Sequence, residues 1–295
     1  MTGAESLYST VVANCVFNAF LCYTAIALNI ITIQALRNTS SLPSTLKTLL
    51  LSLAVSDLGV GLLVHPLYIA RLVMNTEQSS NISAYHGVYT VHLIIGYVFS
   101  NASFLGVVLL TVDRFLAIHL HLRYRQLVTH KRVIVAVILK WLLSSVSSLF
   151  NLDRILEKVN ETTSAIVGAV CLIITGSLCC KIYRTVKHHK NRIHALQVQQ
   201  AAQNAGQMAN SARLRKTVVT TFYVYIVFLV CYLPLFCVRA VTATRGESAL
   251  GLHLLYYAAT IMYLNSSLNP LIYCWQMRHI RQAVVHILRS VFPCQ

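Results

Sequence analysis

Seven segments of the chain are long enough and apolar enough to cross a lipid bilayer as helices. Together they contain only two formally charged side chains, Asp57 and Lys140. An unpaired backbone group is costly in hydrocarbon, so a segment that spans a membrane must be a helix or a strand of a closed barrel. The segments lack the period-two alternation of barrel strands, which favours helices. The predicted spans, first to seventh, are Val11–Leu36, Thr48–Ala70, Val88–Val112, Val133–Leu152, Ser164–Cys180, Thr217–Val238 and Ala249–Trp275.

The composition excludes a water-soluble domain. Hydrophobic residues make up 56% of the 295 residues, charged residues only 11%, and the mean hydropathy is +0.64. Soluble proteins carry about 25% charged residues. The sequence therefore predicts an all-α membrane protein, with a seven-transmembrane helix bundle over residues 11–275. Residues 1–10 are predicted to be a short extracellular N-terminus, and residues 276–295 a cytoplasmic C-terminal segment.

Positive charge is concentrated on one side of the predicted bundle. The loops on the side of the C-terminus hold eighteen Lys and Arg residues and a single acid, Asp113, whereas the loops on the other side hold five basic and six acidic residues. Basic loops stay in the cytoplasm, so the N-terminus is predicted to be extracellular. The net charge of +16 is then mainly an orientation signal. It also favours contact with anionic membrane lipids, and nucleic-acid binding is a poor interpretation.

The C-terminal segment predicts an amphipathic helix that lies on the inner leaflet. Over Met277–Phe292, apolar residues recur at helical spacing and arginines occupy other positions around the helix. This pattern is typical of an interfacial helix. Cys294 is a candidate palmitoylation site, with an unmodified thiol as the alternative. Two sequons in loops assigned to the outside make Asn81 and Asn160 candidate glycosylation sites.

Short motifs occur in order along the chain, one in each of several predicted spans. Each motif alone is weak. Together they resemble the rhodopsin-like (class A) G-protein-coupled receptors over nearly the whole chain, with the melanocortin, cannabinoid and adenosine receptors as the nearest branch. The motifs are Asn29, Asp57, Asp113-Arg114-Phe115, Trp141, Cys231-Tyr232-Leu233-Pro234 and Asn269-Pro270-Leu271-Ile272-Tyr273.

The chain also departs from the family pattern. Tyr89 stands where most members carry a cysteine that is bridged to the second extracellular loop, and the fifth span lacks the usual proline. Tyr232 replaces the tryptophan that usually precedes the proline of the sixth span. Coupling between a bound ligand and Pro234 is therefore expected to differ from that of typical members.

The resemblance implies a plasma-membrane receptor that converts extracellular ligand binding into activation of a heterotrimeric G protein, through outward movement of the sixth helix. Enzyme motifs such as HExxH or GxSxG are absent from the sequence, so an enzyme is not expected. A small transporter would show an internal repeat, and a receptor-like scaffold that does not couple is a further alternative. The residues implied in coupling and activation are Asp113, Arg114, Tyr183, Phe228, Tyr232, Pro234, Asn269, Pro270 and Tyr273.

Arg114 is the implied contact for the G protein, with Asp113 as its partner in the resting state. Many relatives also pair this arginine with an acid at the inner end of the sixth span, but Asp113 is the only acid on the cytoplasmic side here. Loss of a salt bridge worth about 1.4 kcal/mol shifts the active fraction about tenfold. The sequence therefore predicts substantial activity without ligand. The alternative is a resting state held by packing around Phe228 and by hydrogen bonds from Tyr183 and Tyr273.

The resemblance also implies an allosteric sodium site around Asp57, whose carboxylate lies near the bilayer midplane. Neutral oxygen-bearing side chains beside a carboxylate suit a small hard cation. The alternative is a protonated Asp57 within a polar packing network. No other cofactor is expected. The implied sodium ligands are Asn29, Asp57, Ser103, Asn265, Ser266 and Asn269.

Residues at ligand-binding positions exclude several ligand classes. Gly96 stands where amine receptors place an aspartate, Arg239 replaces an asparagine that adenosine receptors use, and the seventh span has no lysine for retinal. The predicted pocket is aromatic with cations at its rim, Arg71 and Arg239, which favours an anionic lipid or metabolite. Alternatively, both arginines face headgroups or loop acids such as Glu247. The predicted pocket residues are Tyr68, Arg71, His92, Gly96, Tyr97, Ser100, Phe236, Arg239, Tyr256 and Tyr263.

Lys140 is the only cation inside a predicted span. A buried partner is one explanation for it. The sequence favours the other explanation, in which the side chain extends towards the inner interface and keeps its ammonium group in water.

Overall fold

The computed structural model describes residues 3–40, 42–76, 82–150, 154–197, 205–246 and 248–291. Within these ranges the regular structure is helical, without a strand. The helices are α1 (Gly3–Asn38), α2 (Ser44–Gly59), α3 (His65–Thr76), α4 (Ile82–His119), α5 (His121–Leu127), α6 (His130–Leu149), α7 (Arg154–Gln197), α8 (Ala205–Arg245), α9 (Ala249–Gln276) and α10 (Arg278–Val291).

These helices form the predicted seven-span bundle. The first span is α1; the second is α2 and α3 together, and the third, fourth, fifth, sixth and seventh are α4, α6, α7, α8 and α9. By length and apolar composition, six spans of the described chain could cross a membrane. The seventh, α9, is less apolar because Asn265, Ser266, Ser267 and Asn269 are buried on its inner side. The bundle has two ends: the N-terminal face carries the start of α1 and Gly246, and the C-terminal face carries Asp113 and α10.

A π-helical turn, Val60–Val64, joins α2 and α3 into one continuous span. The turn lies where α1 approaches closely, since a Cβ added to Gly61 would stand 3.0 Å from Ile26 and 3.2 Å from Ala25. Cys22 also donates a hydrogen bond to the carbonyl oxygen of Gly61 at 3.2 Å. The π turn inserts an extra residue, which changes the direction of the side chains that follow it.

Several helices extend beyond the predicted spans. Residues 3–10, predicted to precede the bundle, instead begin α1, and Thr10 is buried with its hydroxyl 2.8 Å from His253 Nδ1. Helices α7 and α8 continue far past the membrane on the C-terminal face. Hydrophobicity marks the length of a membrane span but does not mark where helical backbone ends, because polar residues such as Gln, Lys and Arg also favour helix in water.

The outer surface of the bundle is apolar. Phe17, Phe20 and Tyr23 of α1 are all largely exposed. Such exposure is costly in water and favourable in lipid, as expected for a membrane protein.

Helix α10 follows the seventh span directly and is amphipathic. Ile280 and Ile287 are buried, with Met277 at the preceding turn, and they join the main apolar core. Arg278, Arg281 and Arg289 are exposed. The predicted eighth helix is therefore present, packed against α1 and α9.

Three predicted modification sites cannot be placed. Asn81 and Cys294 lie outside the described residues, and Asn160 lies in α7, where its side chain is not described.

Candidate functional site

The C-terminal face holds an ion pair between neighbouring residues of α4. Arg114 Nε donates to Asp113 Oδ2 at 2.8 Å, a second guanidinium nitrogen contacts the same oxygen, and both side chains are buried. Tyr124 of α5 donates to the other carboxylate oxygen, Oδ1, at 2.8 Å. Burial raises the pKa of the Tyr124 phenol, so the phenol remains a donor. Tyr124 could not be predicted from the sequence, because it lies in a loop without a recognised motif.

Hydrogen bonds from Tyr183 and Tyr273 were the alternative explanation for a stable resting state, and within the described part of the chain neither hydroxyl forms one. Tyr183 is half-exposed, and its ring stacks on Phe222 of α8 with centroids 5.6 Å apart. Tyr273 is buried, but its hydroxyl has no hydrogen-bond partner.

An aromatic stack connects the third and sixth spans. Phe228 is buried and stacks on Tyr232 with centroids 4.2 Å apart, and both rings contact Phe104. The Tyr232 hydroxyl donates to the carbonyl oxygen of Ser100 at 3.3 Å. This bond fixes α8 to α4 one half-turn before Pro234, which interrupts the hydrogen bonding of α8.

The carboxylate of Asp57 is the centre of a buried polar cluster. Ser103 Oγ and Ser266 Oγ donate to its Oδ1 at 2.8 and 3.0 Å, and Asn269 Nδ2 donates to Oδ2 at 2.8 Å. Asn29 Nδ2 donates to the backbone oxygen of Ser266 at 2.9 Å. The cluster joins the first, second, third and seventh spans, with Pro270 next to Asn269 in α9.

Several side-chain oxygens in this region have no partner. They are Oδ1 of Asn29, Oδ1 of Asn265 and Oδ1 of Asn269, all buried. A buried amide oxygen without a donor is unfavourable. A small cation would be suited to such oxygens beside a carboxylate. The six residues of the implied sodium set are therefore chemically compatible with sodium.

Lys140 contradicts the expectation that it extends to the membrane interface. Its side chain is only 2% exposed, and Nζ lies 3.4 Å from the carbonyl oxygen of Ser52 and 5.0 Å from the centroid of the Trp141 ring. Gly106 leaves room for the ammonium group, since an added Cβ would stand 3.5 Å from Nζ. Lys140 is ten residues into α6, about 15 Å along the helix, which is too deep for the side chain to reach water.

A cavity of about 520 Å³ lies towards the N-terminal face, and all ten predicted pocket residues line it. Both arginines face this cavity, and Glu247, the loop acid suggested as an alternative partner, is outside the described residues. Sequence reasoning missed the part of the cavity that the fourth and fifth spans supply. Leu143, Ser147, Phe150, Val167, Gly168 and Cys171 belong to this missed part.

Polar contacts hold the two arginines of the cavity in place. Arg71 Nη1 donates to His92 Nδ1 at 3.4 Å, which leaves His92 Nε2 to donate to the Tyr263 hydroxyl at 3.2 Å. The Arg71 guanidinium also lies 4.5 Å from the centroid of the Tyr89 ring. On the opposite wall, Arg239 Nη1 donates to the Tyr97 hydroxyl at 3.2 Å. The described lining residues include no Asp or Glu.

A second polar network, not anticipated from the sequence, joins the first, second and seventh spans. Asn18 Nδ2 donates to Thr260 Oγ1 at 2.8 Å, and Thr260 Oγ1 donates to Asn14 Oδ1 at 2.6 Å. His65 Nδ1 donates to Asn18 Oδ1 at 2.9 Å. Asn14 and Asn18 lie four residues apart on one face of α1. This spacing of two polar residues within an apolar span is the feature of the sequence from which the network could have been predicted.

A seven-span bundle with a cavity at one end and a buried arginine at the other has the architecture of a membrane receptor. A family model described as 7 transmembrane receptor (rhodopsin family) matches residues 28–162 and 153–273. The chain belongs to this family. It is a multi-pass plasma-membrane G-protein-coupled receptor and not an enzyme, and the transporter and scaffold alternatives are not favoured.

Individual relatives support the same assignment. Adenosine receptor A3 of Canis lupus familiaris is 26% identical over 292 residues, covering 92% of this chain and 89% of the relative. Adenosine receptor A3 of Ovis aries is 25% identical over 291 residues, covering 92% and 88%. Histamine H2 receptor of Homo sapiens is 25% identical over 284 residues, covering 89% and 76%. The similarity thus extends over nearly the whole chain, and the adenosine-receptor part of the predicted branch is supported.

Replacing Tyr232 by Phe is expected to raise ligand-free signalling. The change removes the bond to the Ser100 carbonyl but keeps the aromatic stack, and outward movement of α8 must break that bond. A net hydrogen bond of about 1 kcal/mol corresponds to an increase of about fivefold in the active fraction. The measurement is G-protein activation in cells at matched surface expression. Tyr257→Phe, at an exposed position on α9, is the control, and equal signals from both variants would contradict the role of Tyr232.

Proposed function

We propose that this receptor binds an anionic ligand in the cavity and activates a heterotrimeric G protein at its C-terminal face. The N-terminal face is then extracellular, in agreement with the distribution of basic loop residues. The observation that carries the proposal is the pair of guanidinium groups, Arg71 and Arg239, in a cavity whose described lining residues include no carboxylate. A ligand anion can accept charge-assisted hydrogen bonds from guanidinium groups placed in this way.

The cavity combines two cationic side chains with a mainly apolar wall, and this combination supports an amphiphilic ligand. The guanidinium groups are contacted by neutral partners, His92 and Tyr89 for Arg71 and Tyr97 for Arg239. The rest of the cavity is mainly aromatic and aliphatic, as in sites for small organic ligands. In an amphiphilic ligand, an anionic head group would pair with the two arginines and an apolar body would pack against the remaining wall of the cavity.

The names of the relatives do not transfer their ligands to this chain. The histamine H2 receptors are named for an amine, and this cavity presents two cations and Gly96, without a carboxylate to pair an amine. The adenosine A3 receptors are named for a nucleoside, and Arg239 occupies the position of the asparagine expected for that ligand.

Tyr232 links the ligand to the G-protein site. It lines the cavity, and its hydroxyl and ring hold α8 to α4 beside Pro234. A ligand that displaces Tyr232 releases the inner half of α8. Movement of that half of α8 opens the C-terminal face around Arg114 to the G protein. The ion pair between Arg114 and Asp113 lies within α4, so it does not oppose the movement of α8. Activity without ligand is substantial, because no cytoplasmic acid other than Asp113 exists to tie Arg114 to α8.

We propose that the Asp57 cluster is a sodium site in the resting receptor. Asp57 and the oxygens of Ser103, Ser266, Asn265 and Asn269 would hold the ion, and Asn29 would support the cluster from α1. Three unpaired buried amide oxygens support this assignment over a protonated carboxyl group in a closed network. A bound ion would stabilise the packing of the seventh span, including Pro270, against α2.

Membrane lipids are further partners. The exposed arginines of α10, Arg278, Arg281 and Arg289, rest on the anionic inner leaflet while the buried isoleucines anchor the helix to the bundle.

The anionic-ligand proposal is tested by screening carboxylate, phosphate and sulfate compounds, lipids and soluble metabolites alike, together with a panel of amines. We expect an anionic agonist whose potency falls about 10- to 100-fold in Arg71→Gln and in Arg239→Gln, because hydrogen bonds to charged groups contribute about 1.5–3 kcal/mol. Arg245→Gln, exposed at the end of α8 on the same face, should leave potency unchanged. An agonist without negative charge, insensitive to both cavity variants, would refute the proposal.

Coupling is tested with Arg114→Ala. Ligand-free G-protein activation should be measurable above mock-transfected cells and should disappear in this variant, because Arg114 is the contact for the G protein. Arg123→Ala, an exposed cation of α5 on the same face, is the control and should retain signal. A wild-type receptor indistinguishable from mock-transfected cells would contradict the predicted ligand-independent activity.

The sodium site is tested with purified receptor by comparing its thermal unfolding temperature in NaCl and in N-methylglucamine chloride. Sodium should raise the unfolding temperature of the wild type, since a ligand present at 100 times its Kd adds about 2.7 kcal/mol of stability. Asp57→Asn keeps the size of the side chain and removes its charge, and should abolish the sodium-dependent increase. An identical unfolding temperature in both salts for the wild type would favour the closed polar network.

A further inference from the structure

The cavity extends sideways from the arginines to the fourth and fifth spans. Leu143 and Phe150 line it from the fourth span and its C-terminal end, and Val167 and Cys171 line it from the fifth. In the described part of the chain, α6 packs against α2 and α4, and α7 packs against α4 and α8, but α6 and α7 scarcely touch each other. The cavity therefore ends at a gap between two neighbouring helices.

Residues at this gap belong to the cavity and to the outer surface at once. Leu143 is 62% exposed, Phe150 is 47% exposed and Val167 is 55% exposed, although all three line the cavity. We refer to these three residues as the lateral opening. Leu143 and Val167 lie inside the membrane spans His130–Leu149 and Ala165–Thr185. Phe150 follows the end of the first of these spans. An opening between the two spans would face the bilayer at the depth of Leu143 and Val167.

Polarity changes along the cavity from this opening to the arginines. The opening itself is apolar, and the wall behind it includes Phe104, Leu105 and Phe236. Arg71 and Arg239 line the same cavity, where Arg71 contacts His92 and Arg239 contacts Tyr97. A molecule that enters from the bilayer can keep an apolar chain in the opening while its charged head reaches the guanidinium groups.

We propose that the ligand is an anionic amphiphile with an acyl chain, which enters from the bilayer through the lateral opening between the fourth and fifth spans. Its head group, a carboxylate or phosphate, pairs with Arg71 and Arg239, and its chain lies against Phe104 and Phe236 and ends in the lateral opening. This inference rests on the proposed anionic ligand and adds the chemical class of its apolar part and its route. A soluble metabolite is the competing source of the same anionic chemistry.

The test uses the full receptor in phosphatidylcholine nanodiscs with a photoreactive probe, palmitate that carries a diazirine near the end of its chain. The initial rate of photolabelling is measured, and mass spectrometry locates the labelled residues. One variant, Leu143→Trp with Val167→Trp, fills the lateral opening. Its matched control, Leu142→Trp with Ile173→Trp, places the same bulk on the same two spans at exposed positions that do not line the cavity. A third variant combines Arg71→Gln with Arg239→Gln.

In the wild type, labelling should fall on the fourth and fifth spans around the lateral opening. The filled variant should label about tenfold more slowly, which corresponds to about 1.4 kcal/mol, and the matched control should label at the wild-type rate. The arginine variant should also label more slowly, because the head group loses its partners. The two tryptophan variants should unfold at the wild-type temperature before labelling, since Leu142, Leu143, Val167 and Ile173 are all exposed positions.

Two results would overturn the inference. One is no labelling of the wild type at the opening; the other is equal labelling of the filled variant and its matched control. Hexanoate, a soluble carboxylate, is added in parallel. Suppose that hexanoate displaces the probe equally from the filled variant and its matched control, and that the two variants label at the same rate. The ligand then enters from water. If the filled variant loses labelling while the arginine variant keeps it, lateral entry stands and the anionic-ligand proposal fails.

Discussion

The carboxylate of Asp57 must find polar partners inside the bundle, because lipid offers none and burial without them is costly. Ser103 of the third span and Ser266 and Asn269 of the seventh supply three hydrogen bonds to it. This requirement fixes the second, third and seventh spans at one level of the membrane. The cavity on one side of that level and the Arg114 pair on the other are both built around these fixed helices.

The proposed route between the cavity and Arg114 runs through the sixth span, which the Asp57 cluster does not contact directly. The sixth span is attached to the third by an aromatic stack and by the bond from Tyr232 to Ser100. Tyr232 also lines the cavity, so occupancy of the cavity and the position of α8 depend on the same side chain. A tyrosine at this place provides a hydroxyl that can bond across the bundle, and Pro234 provides a weak point at which the helix can bend.

Much of this arrangement followed from the sequence, since hydrophobic length predicts spans and the spacing of motifs assigns each to a helix. The ten pocket residues were found because they occupy the same half of their spans and so converge. The prediction that Lys140 extends to the membrane interface was wrong. The sequence indicates how far Lys140 lies along its helix but not which residues of other helices lie beside it, and here Gly106 leaves space for the ammonium group. Tyr124 was missed for the same reason: its bond to Asp113 joins a loop helix to the third span.

The sequence by itself determined that this is a seven-span membrane receptor, which side carries the basic loops, and which polar residues lie at membrane depth, since hydrocarbon restricts the backbone to helices and makes each polar exception visible. Only the tertiary structure decided how the helices pack. Packing between α6 and α7 depends on residues that are distant in the sequence. In the described part of the chain the two helices make few contacts, and Leu143, Phe150 and Val167 are exposed while they also line the cavity. No local sequence pattern in α6 or α7 predicts this gap, because the gap depends on how the two helices pack against each other.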